Sequence, residues 1–247
     1  MNGENKNNLV WSLIAVILAL GIILSSTIVT NGIIKMKAGD KTITVTGSAK
    51  KQIKSDLVTW RGSFSAQSAQ TADAYAKLKL DLEKVKKHLV SKGIDEKDII
   101  ISSISTNPYY VVLPNGMYSN EIASYRLEQR VEITSSDVEK ITAISREATD
   151  LINEGVEFQS YPPEYYYTKI ADLKVDMLGE ATADAKNRAM QIADGTGSKI
   201  GTLRSARVGV FQITPLYSTE VSDYGINDTS TIDKEITAVV TCNFEIE

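Results

Sequence analysis

The sequence predicts an α+β fold: a mixed β-sheet with three helices packed mainly on one side, preceded by one N-terminal transmembrane helix. Residues 9–29 contain no charged side chain, residues 57–67 alternate apolar and polar positions, and residues 169–198 repeat apolar positions every three or four. These patterns are typical of a membrane-crossing helix, a strand with one buried face and an amphipathic helix. The predicted order after the N-terminal helix is β-β-α-β-β-α-β-α-β-β.

The chain divides into four predicted segments: a short tail (1–8), a transmembrane anchor or signal (9–30), a tether (31–40) and one domain (41–247). A cleaved signal is the alternative to a retained anchor, because Lys6 places positive charge before the apolar run. We favour the anchor, since the run is long for a signal peptide and no A-x-A type of cleavage site follows it. Lys35, Lys37 and Lys41 follow the run, so a positive-inside count would keep the domain in the cytoplasm.

The domain opens with two predicted strands. The β-branched run Thr42–Thr46 is the first, ended by Gly47, and Leu57–Gln67 is the second. The apolar face of the second strand contains Val58, Trp60, Phe64 and Ala66. Its other face is polar, so we expect one face to be buried.

Helical spacing then predicts a helix over Thr71–Ser91 with Gly93 as its stop. Its expected inner face contains Tyr75, Leu78, Leu82, Val85 and Leu89. A strand over Ile99–Thr106 follows, ended by Asn107-Pro108, and Pro114–Gly116 marks a loop.

Residues 125–133 alternate apolar with charged side chains and predict a strand with a charged outer face. Ser136–Glu139 reads as a capping box that opens the second helix, and Gly155 ends it. A short strand over residues 156–161 follows.

The third helix lies within residues 169–198, where Ala181, Ala185 and Ala189 stack one turn apart and allow close approach to a sheet. Its stripe also contains Ile170, Leu173, Met177 and Ile192. A strand over residues 200–211, a loop over 212–233 and a strand over 235–247 complete the domain.

Three features that suggest chemistry are better explained structurally. His88 lies beside an apolar stripe and is expected at a solvated edge, and Cys242 is expected in the core. Gly195–Lys199 superficially resembles a phosphate-binding loop, but its glycines close a helix instead of opening one. We therefore interpret it as a helix C-cap.

Composition excludes several kinds of site. The chain has 247 residues, 43% of them hydrophobic, and a net charge of −4, which argues against nucleic acid as a partner. With one cysteine and one histidine, the chain lacks the parts of an intramolecular disulfide or a cysteine-built zinc site. We predict no metal, no cofactor and no catalytic residue.

Two surfaces are candidate interfaces. Four acids on the third helix follow one another at intervals of four: Asp172, Asp176, Glu180 and Asp184. They form a solvated face balanced by nearby basic residues, or else a docking face or weak divalent-cation site. Lys174 and Arg188 fall within the apolar stripe of that helix, so we expect them to snorkel or to meet acids across a subunit contact.

The second surface is aromatic and consists of Tyr109, Tyr110, Tyr161, Tyr165, Tyr166 and Tyr167. Aromatic rings with polar tips are common at interfaces. The rings cover the end of the sheet, or else they form a site for a partner or for self-assembly.

Several segments together resemble the SIMPL-domain family of bacteria: ITVTGSAK, GIDEKDI before ISSISTNPYY, YRLEQRVEI, and the alanine-rich helix leading to GSKIGTLRSARVGVF. The resemblance covers about residues 41–247. It implies an extracytoplasmic domain held by an anchor or signal, a tendency to self-associate and a link to envelope stress. It implies no established enzymatic activity and supplies no catalytic residues to carry over. On orientation we follow the resemblance over the charge count.

The favoured hypothesis is a non-enzymatic, self-assembling envelope protein in the cytoplasmic membrane, a single-pass homo-oligomer with its main domain extracytoplasmic. Secretion to the periplasm after signal cleavage is the alternative location, and the sequence identifies no protein or envelope ligand. The alternative function is a binding module for a small ligand or cell-wall component, built on a concave aromatic pocket. A third hypothesis, a hydrolase using Asp95, Glu96 and Asp98, requires a buried carboxylate pair with a raised pKa.

Overall fold

A computed structural model describes residues 4–38 and 41–246, which form four α-helices and eleven β-strands. Two short 3-10 turns cover Glu96–Asp98 and Ala148–Ile152. The elements in chain order are α1 Glu4–Ala38, β1 Thr42–Lys54, β2 Leu57–Ser68, α2 Thr71–Ser91, β3 Ile99–Ile101, β4 Ser105–Val112, β5 Tyr118–Ser135, α3 Val138–Glu147, β6 Glu157–Ser160, β7 Glu164–Tyr166, α4 Ile170–Gly195, β8 Ile200–Val208, β9 Gln212–Pro215, β10 Ile226–Asn227 and β11 Asp233–Ile246.

The chain combines helices with β-sheets, which confirms the α+β class. The strands form two sheets, however, so the prediction of a single mixed sheet is wrong. One sheet has the order β1-β11-β9-β10, with β8 also paired to β11. The other has the order β3-β5-β2-β6, with β4 paired to β5 and β7 paired to β2. Alternation in the sequence shows that a strand exists, but its partner depends on contacts between distant residues. β2, for example, pairs with β5 from Val58↔Ser135 to Ser68↔Tyr125.

The described chain contains two compact units, and residues 49–179 and 210–239 form the one that holds the six-stranded sheet. Its core lies between that sheet and the helices α2 and α3. As predicted, Val58, Trp60, Phe64 and Ala66 of β2 are buried, and Leu78, Val85 and Leu89 of α2 pack against them. Tyr75, which was placed on the same helix face, is exposed instead, because Ala74 takes the inward position.

The second face of β2 departs from the prediction of one buried face. Thr59, Ser63 and Ser65 point to the polar side and are also buried. They are short side chains on a strand flanked by β5 on one side and by β6 and β7 on the other. Side chains of those neighbours contact them: the Thr59 hydroxyl is hydrogen-bonded to Thr134 of β5 at 3.0 Å, and Ser65 donates to Glu157 of β6 at 2.9 Å.

The described residues within 4–38, 41–48, 180–209 and 240–246 form the other unit. The alanine stack of α4 does allow close approach there: a Cβ built on Gly47 would lie 2.2 Å from the Ala181 carbonyl oxygen and 2.3 Å from the Ala185 nitrogen. β1 therefore continues through Gly47, and the prediction that this glycine ends the strand is wrong. The buried face of α4 continues to Ala193, whereas Ile192 is exposed.

Three other boundaries differ from the predictions. β4 runs through Pro108, which lacks an N–H group but is tolerated because β4 has only β5 as a partner among the described strands. The N-cap of α3 is Asp137, one residue later than predicted, and its carboxylate accepts from the Lys140 N–H at 3.1 Å. The predicted loop over residues 212–233 contains β9 and β10.

The N-terminal helix α1 contains a segment, Val16–Ile34, that is long and apolar enough to cross a membrane. The helix also continues through residues 31–38, which were predicted as a tether. Alanine, lysine and methionine are strong helix formers, so the helix continues to Ala38. Residues 39 and 40 of the predicted tether lie outside the described residues. A retained anchor and a cleaved signal both require such a segment, and the choice between them stays a prediction.

Candidate functional site

The tyrosines that follow β6, at positions 161 and 165–167, are buried or half-buried and contribute more to packing than to an exposed surface. Tyr165 is buried in the core, and its hydroxyl is hydrogen-bonded to the Thr142 hydroxyl at 2.9 Å. Tyr166 donates to Glu164 at 2.6 Å. Tyr161 and Tyr167 are half-buried. Tyr165 and Tyr166 therefore cover the sheet, which was one of the two predicted roles of the tyrosines.

The other two tyrosines lie far from this run. Tyr109 pairs with Ser124 near one end of β5, whereas Tyr165 pairs with Val58, which pairs with Ser135 at the other end. Ser124 and Ser135 are about 36 Å apart along the strand, at about 3.3 Å per residue. The six tyrosines therefore do not form one aromatic pocket.

Tyr109 and Tyr110 belong instead to an exposed β-hairpin, residues 105–125, here called the hairpin arm. It consists of β4, a turn at which Gly116 has φ +81, and the first part of β5. β2 ends opposite Tyr125, so no described strand pairs with the free edge of residues 118–124. The exposed apolar side chains of the arm are Tyr109, Tyr110, Val112, Leu113, Met117, Tyr118 and Ile122. Glu121 is its one charged residue.

The acids of α4 divide into one that is bonded and three that face solvent. Asp184 accepts from the Ser48 N–H at 2.8 Å and from Arg188 at 2.9 Å, and these hydrogen bonds lower its pKa. Asp172, Asp176 and Glu180 are exposed. Among the residues that the structure describes, no group of three or more His, Cys, Asp or Glu side chains could hold a metal ion. Lys174 lies over the Phe211 ring, 5.3 Å from its centroid.

His88 is not the solvated residue that was predicted. Its side chain is 9% exposed, with Nδ1 4.0 Å from a Glu154 carboxylate oxygen. Lys84 donates to the Glu154 carbonyl at 2.7 Å, so the turn that contains Glu154 lies against α2 and covers the imidazole.

The interpretations of the lone cysteine and of the glycine pair are confirmed. Cys242 is fully buried, and burial raises the pKa of its thiol. The Ser198 N–H donates to the Ala193 carbonyl at 2.9 Å and Gly197 has φ +71, which is a helix C-cap.

The acids considered for hydrolysis lack the environment of a general acid. Asp95, Glu96 and Asp98 are exposed at a 3-10 turn. The hydrogen bond from Lys97 lowers the pKa of Asp95, which is opposite to the shift that the hydrolase hypothesis requires.

The polar face of the six-stranded sheet contains a groove, here called the outer groove, that was not predicted from the sequence. The groove encloses about 480 Å³. Thr59 and Arg61 of β2 and Arg130 of β5 line it from the sheet. The rest of its lining comes from Tyr161, Pro162, Pro163, Glu164, Thr229 and Ser230.

Arg61 is fixed in the outer groove by two carboxylates. Its Nε donates to Glu132 at 2.7 Å and one terminal nitrogen lies 3.2 Å from Glu164. The hydrogen bond with Glu132 is the main reason that the pKa of Arg61 is raised. The hydrogen bond from Tyr166, aided by the charge of Arg61, lowers the pKa of Glu164. Arg61 is thus neutralised and held from two sides, while the ion pair of Arg130 among the described residues is a longer contact, 3.3 Å to Glu128.

The buried ammonium of Lys234 holds the loop that contributes Thr229 and Ser230 to the outer groove. It donates to the Tyr165 carbonyl at 2.7 Å and to the Asp228 carbonyl, and it lies 3.9 Å from the Asp228 carboxylate. That carboxylate also accepts from Ser230 and Thr231. The Tyr165 N–H donates to the Thr229 carbonyl at 2.8 Å. Lys234 therefore positions the loop that supplies Thr229 and Ser230.

The fold and surfaces thus describe an α+β domain that follows an apolar helix able to span a membrane. The chain belongs to the SIMPL family, described as a protein of unknown function (DUF541), which matches residues 43–244. The suspected family membership is thereby confirmed.

Comparisons with curated proteins and with solved structures give no further information about function. A search of curated proteins gave no match. Among solved structures, the chain is similar to an amidase of the hydantoinase/carbamoylase family from Burkholderia phymatum, with 11% identity, a TM-score of 0.28, and coverage of 49% of this chain and 32% of the amidase. The chain thus spans about a third of that amidase, and a likeness of this size carries no argument about activity.

Proposed function

We propose that the protein is a membrane-anchored, extracytoplasmic, non-enzymatic protein that self-assembles through its hairpin arm. The observation that carries the proposal is the exposure of the arm: Val112 and Tyr118 pair across the two strands and are 58% and 75% exposed. Exposed apolar side chains concentrated in one element are characteristic of an interaction site. Family membership and the Val16–Ile34 segment support the anchored arrangement. A role in envelope stress stays a prediction.

The backbone of the arm favours a second copy of the chain as the partner. A strand edge without a partner presents N–H and C=O groups that can pair with another strand, and natural edge strands are normally protected by charges. The arm has one charged residue, Glu121. Pairing two arms edge to edge would extend the sheet and bring the exposed tyrosine and aliphatic side chains of the two copies into lateral contact.

The first prediction concerns a variant that makes the exposed surface of the arm less apolar while the two strands of the hairpin stay paired. The double variant Val112→Glu/Tyr118→Lys places opposite charges at two positions that face each other, so the cross-strand contact is kept. We expect its self-association to weaken at least about 10-fold, because the buried apolar area is lost. Sedimentation equilibrium of the full chain in density-matched detergent micelles measures the change.

Leu80→Lys is the matched control, since it adds charge at an equally exposed apolar position on α2, outside the arm. It should leave the association constant within about 2-fold of the wild type. Equal weakening by both changes, or none by the double variant, would contradict the role of the arm.

The second prediction concerns orientation. Tyr224 is 98% exposed, whereas the native thiol of Cys242 is buried. The variant Tyr224→Cys should therefore react with a membrane-impermeant maleimide added to intact spheroplasts, while the wild type gives little background. Labelling of Tyr224→Cys only after the cells are lysed would place the domain in the cytoplasm, as the positive-inside count suggests, and would overturn the extracytoplasmic part of the proposal.

A further inference from the structure

We propose that the outer groove binds a small sugar acid, a polyhydroxylated ring that carries a carboxylate. Its volume of about 480 Å³ falls within the range of small-molecule sites, which is about 300–1,000 Å³. The site is distinct from the hairpin arm and does not depend on self-assembly. Three properties of its lining specify the ligand.

The anion partner is Arg130. Of the two guanidinium groups in the groove, that of Arg61 is neutralised by Glu132 and Glu164. Arg130 is 64% exposed, and its 3.3 Å contact with Glu128 uses one of its five N–H groups. A guanidinium with free donors binds a carboxylate through two parallel hydrogen bonds.

Groups that can accept from ligand hydroxyls line the same groove. The Glu164 carboxylate accepts from Tyr166 and lies beside Arg61, which leaves lone pairs for a further donor. Ser230 donates to Asp228 at 2.6 Å, so its oxygen remains free to accept. Acceptors held in fixed positions suit a ligand that presents several hydroxyl groups.

The remaining wall is apolar. Pro162, Pro163 and the ring of Tyr161 line the same groove. The carbon face of a sugar ring can pack on such a surface while its hydroxyl groups reach the polar wall. A simple anion, such as phosphate, would bind Arg130 but would make no contact with this apolar surface.

Isothermal titration calorimetry of the full chain tests the proposal, in a detergent without a sugar headgroup. The probes are glucuronate, galacturonate and N-acetylmuramic acid, with glucose and inorganic phosphate for comparison. We expect at least one of the three acids to bind at least 10-fold more tightly than glucose and phosphate. Arg130→Gln should weaken that binding at least about 10-fold.

Arg126→Gln is the matched control, because Arg126 lies four residues away on the same face of β5 and lines a separate groove. It should change the affinity less than 2-fold, and circular dichroism checks that both variants fold. Absence of binding by all three acids, equal binding of glucose or phosphate, or equal loss in both variants would overturn the proposal.

Discussion

Replacing Lys234 with methionine should lower the free energy of unfolding by about 3 kcal/mol. Methionine keeps the apolar stem but leaves the Tyr165 and Asp228 carbonyls without their donor, and it leaves the Asp228 carboxylate without its nearby positive charge. Leaving a buried polar group unpaired costs about 1–3 kcal/mol, which is more than an average hydrogen bond contributes. Urea unfolding of the full chain, followed by circular dichroism, measures the loss.

Lys50→Met is the matched control for this change. Lys50 pairs with Glu235, next to Lys234 in the chain, but its side chain is exposed, so the expected loss is below about 1 kcal/mol. Similar losses in the two variants would show that Lys234 has no special structural role.

The Lys234 contribution also has a defined pH dependence. Burial lowers the pKa of Lys234 below its ordinary value of 10.5, although the charge of Asp228 opposes the shift. Between the folded-state pKa and 10.5 the unfolded chain binds more protons, so the free energy of unfolding rises with pH in that window. The stability difference between the wild type and Lys234→Met should therefore widen as the pH approaches 10.5.

Replacing Gly47 with alanine should have a comparably large effect. The added Cβ would lie 2.2 Å from the Ala181 carbonyl oxygen and 2.7 Å from the Ala185 Cα, and backbone atoms of a helix cannot move aside cheaply. We expect a loss of about 3 kcal/mol or more, above the usual cost of overpacking. The melting temperature should fall by about 6–12 °C.

Two other glycines provide controls for Gly47→Ala. Gly179 lies on α4, and a Cβ added there would meet no atom of the described residues within 4 Å, apart from its own helix backbone and chain neighbours. Gly179→Ala should therefore stabilise the helix by up to about 1 kcal/mol. Gly62→Ala meets the tip of the Phe158 side chain at 2.3 Å and should cost about 1–3 kcal/mol. A Gly47→Ala variant as stable as the wild type would contradict the close contact of β1 with α4.

Elements with a strong local pattern could be predicted from the sequence. The alternation of β2 and β11 and the helical spacing of α2 and α4 gave those elements within a few residues. The division into two sheets was missed because strand pairing is set by contacts distant in sequence. β9 and β10 were missed because they are short and lie within a polar loop.

The candidate sites were predictable to different degrees. Tyr109 and Tyr110 were predicted as an interface and lie in the hairpin arm. Tyr165 was wrongly predicted to lie at the surface. A tyrosine ring can be buried in a core when its hydroxyl has a hydrogen-bond partner, which here is Thr142. The outer groove joins β2, β5 and two loops. Its one local signal was the alternation of arginine and glutamate along β5, which shows a charged face but not what lies opposite it.

Self-assembly of the anchored chain is the central claim, and its mass in solution tests the claim most directly. Sedimentation equilibrium of the full-length wild type in density-matched micelles, over a wide concentration range, gives the protein mass without the detergent. We predict a defined multiple of the 27.0 kDa chain at the higher concentrations. A mass of 27.0 kDa at every concentration would contradict the account.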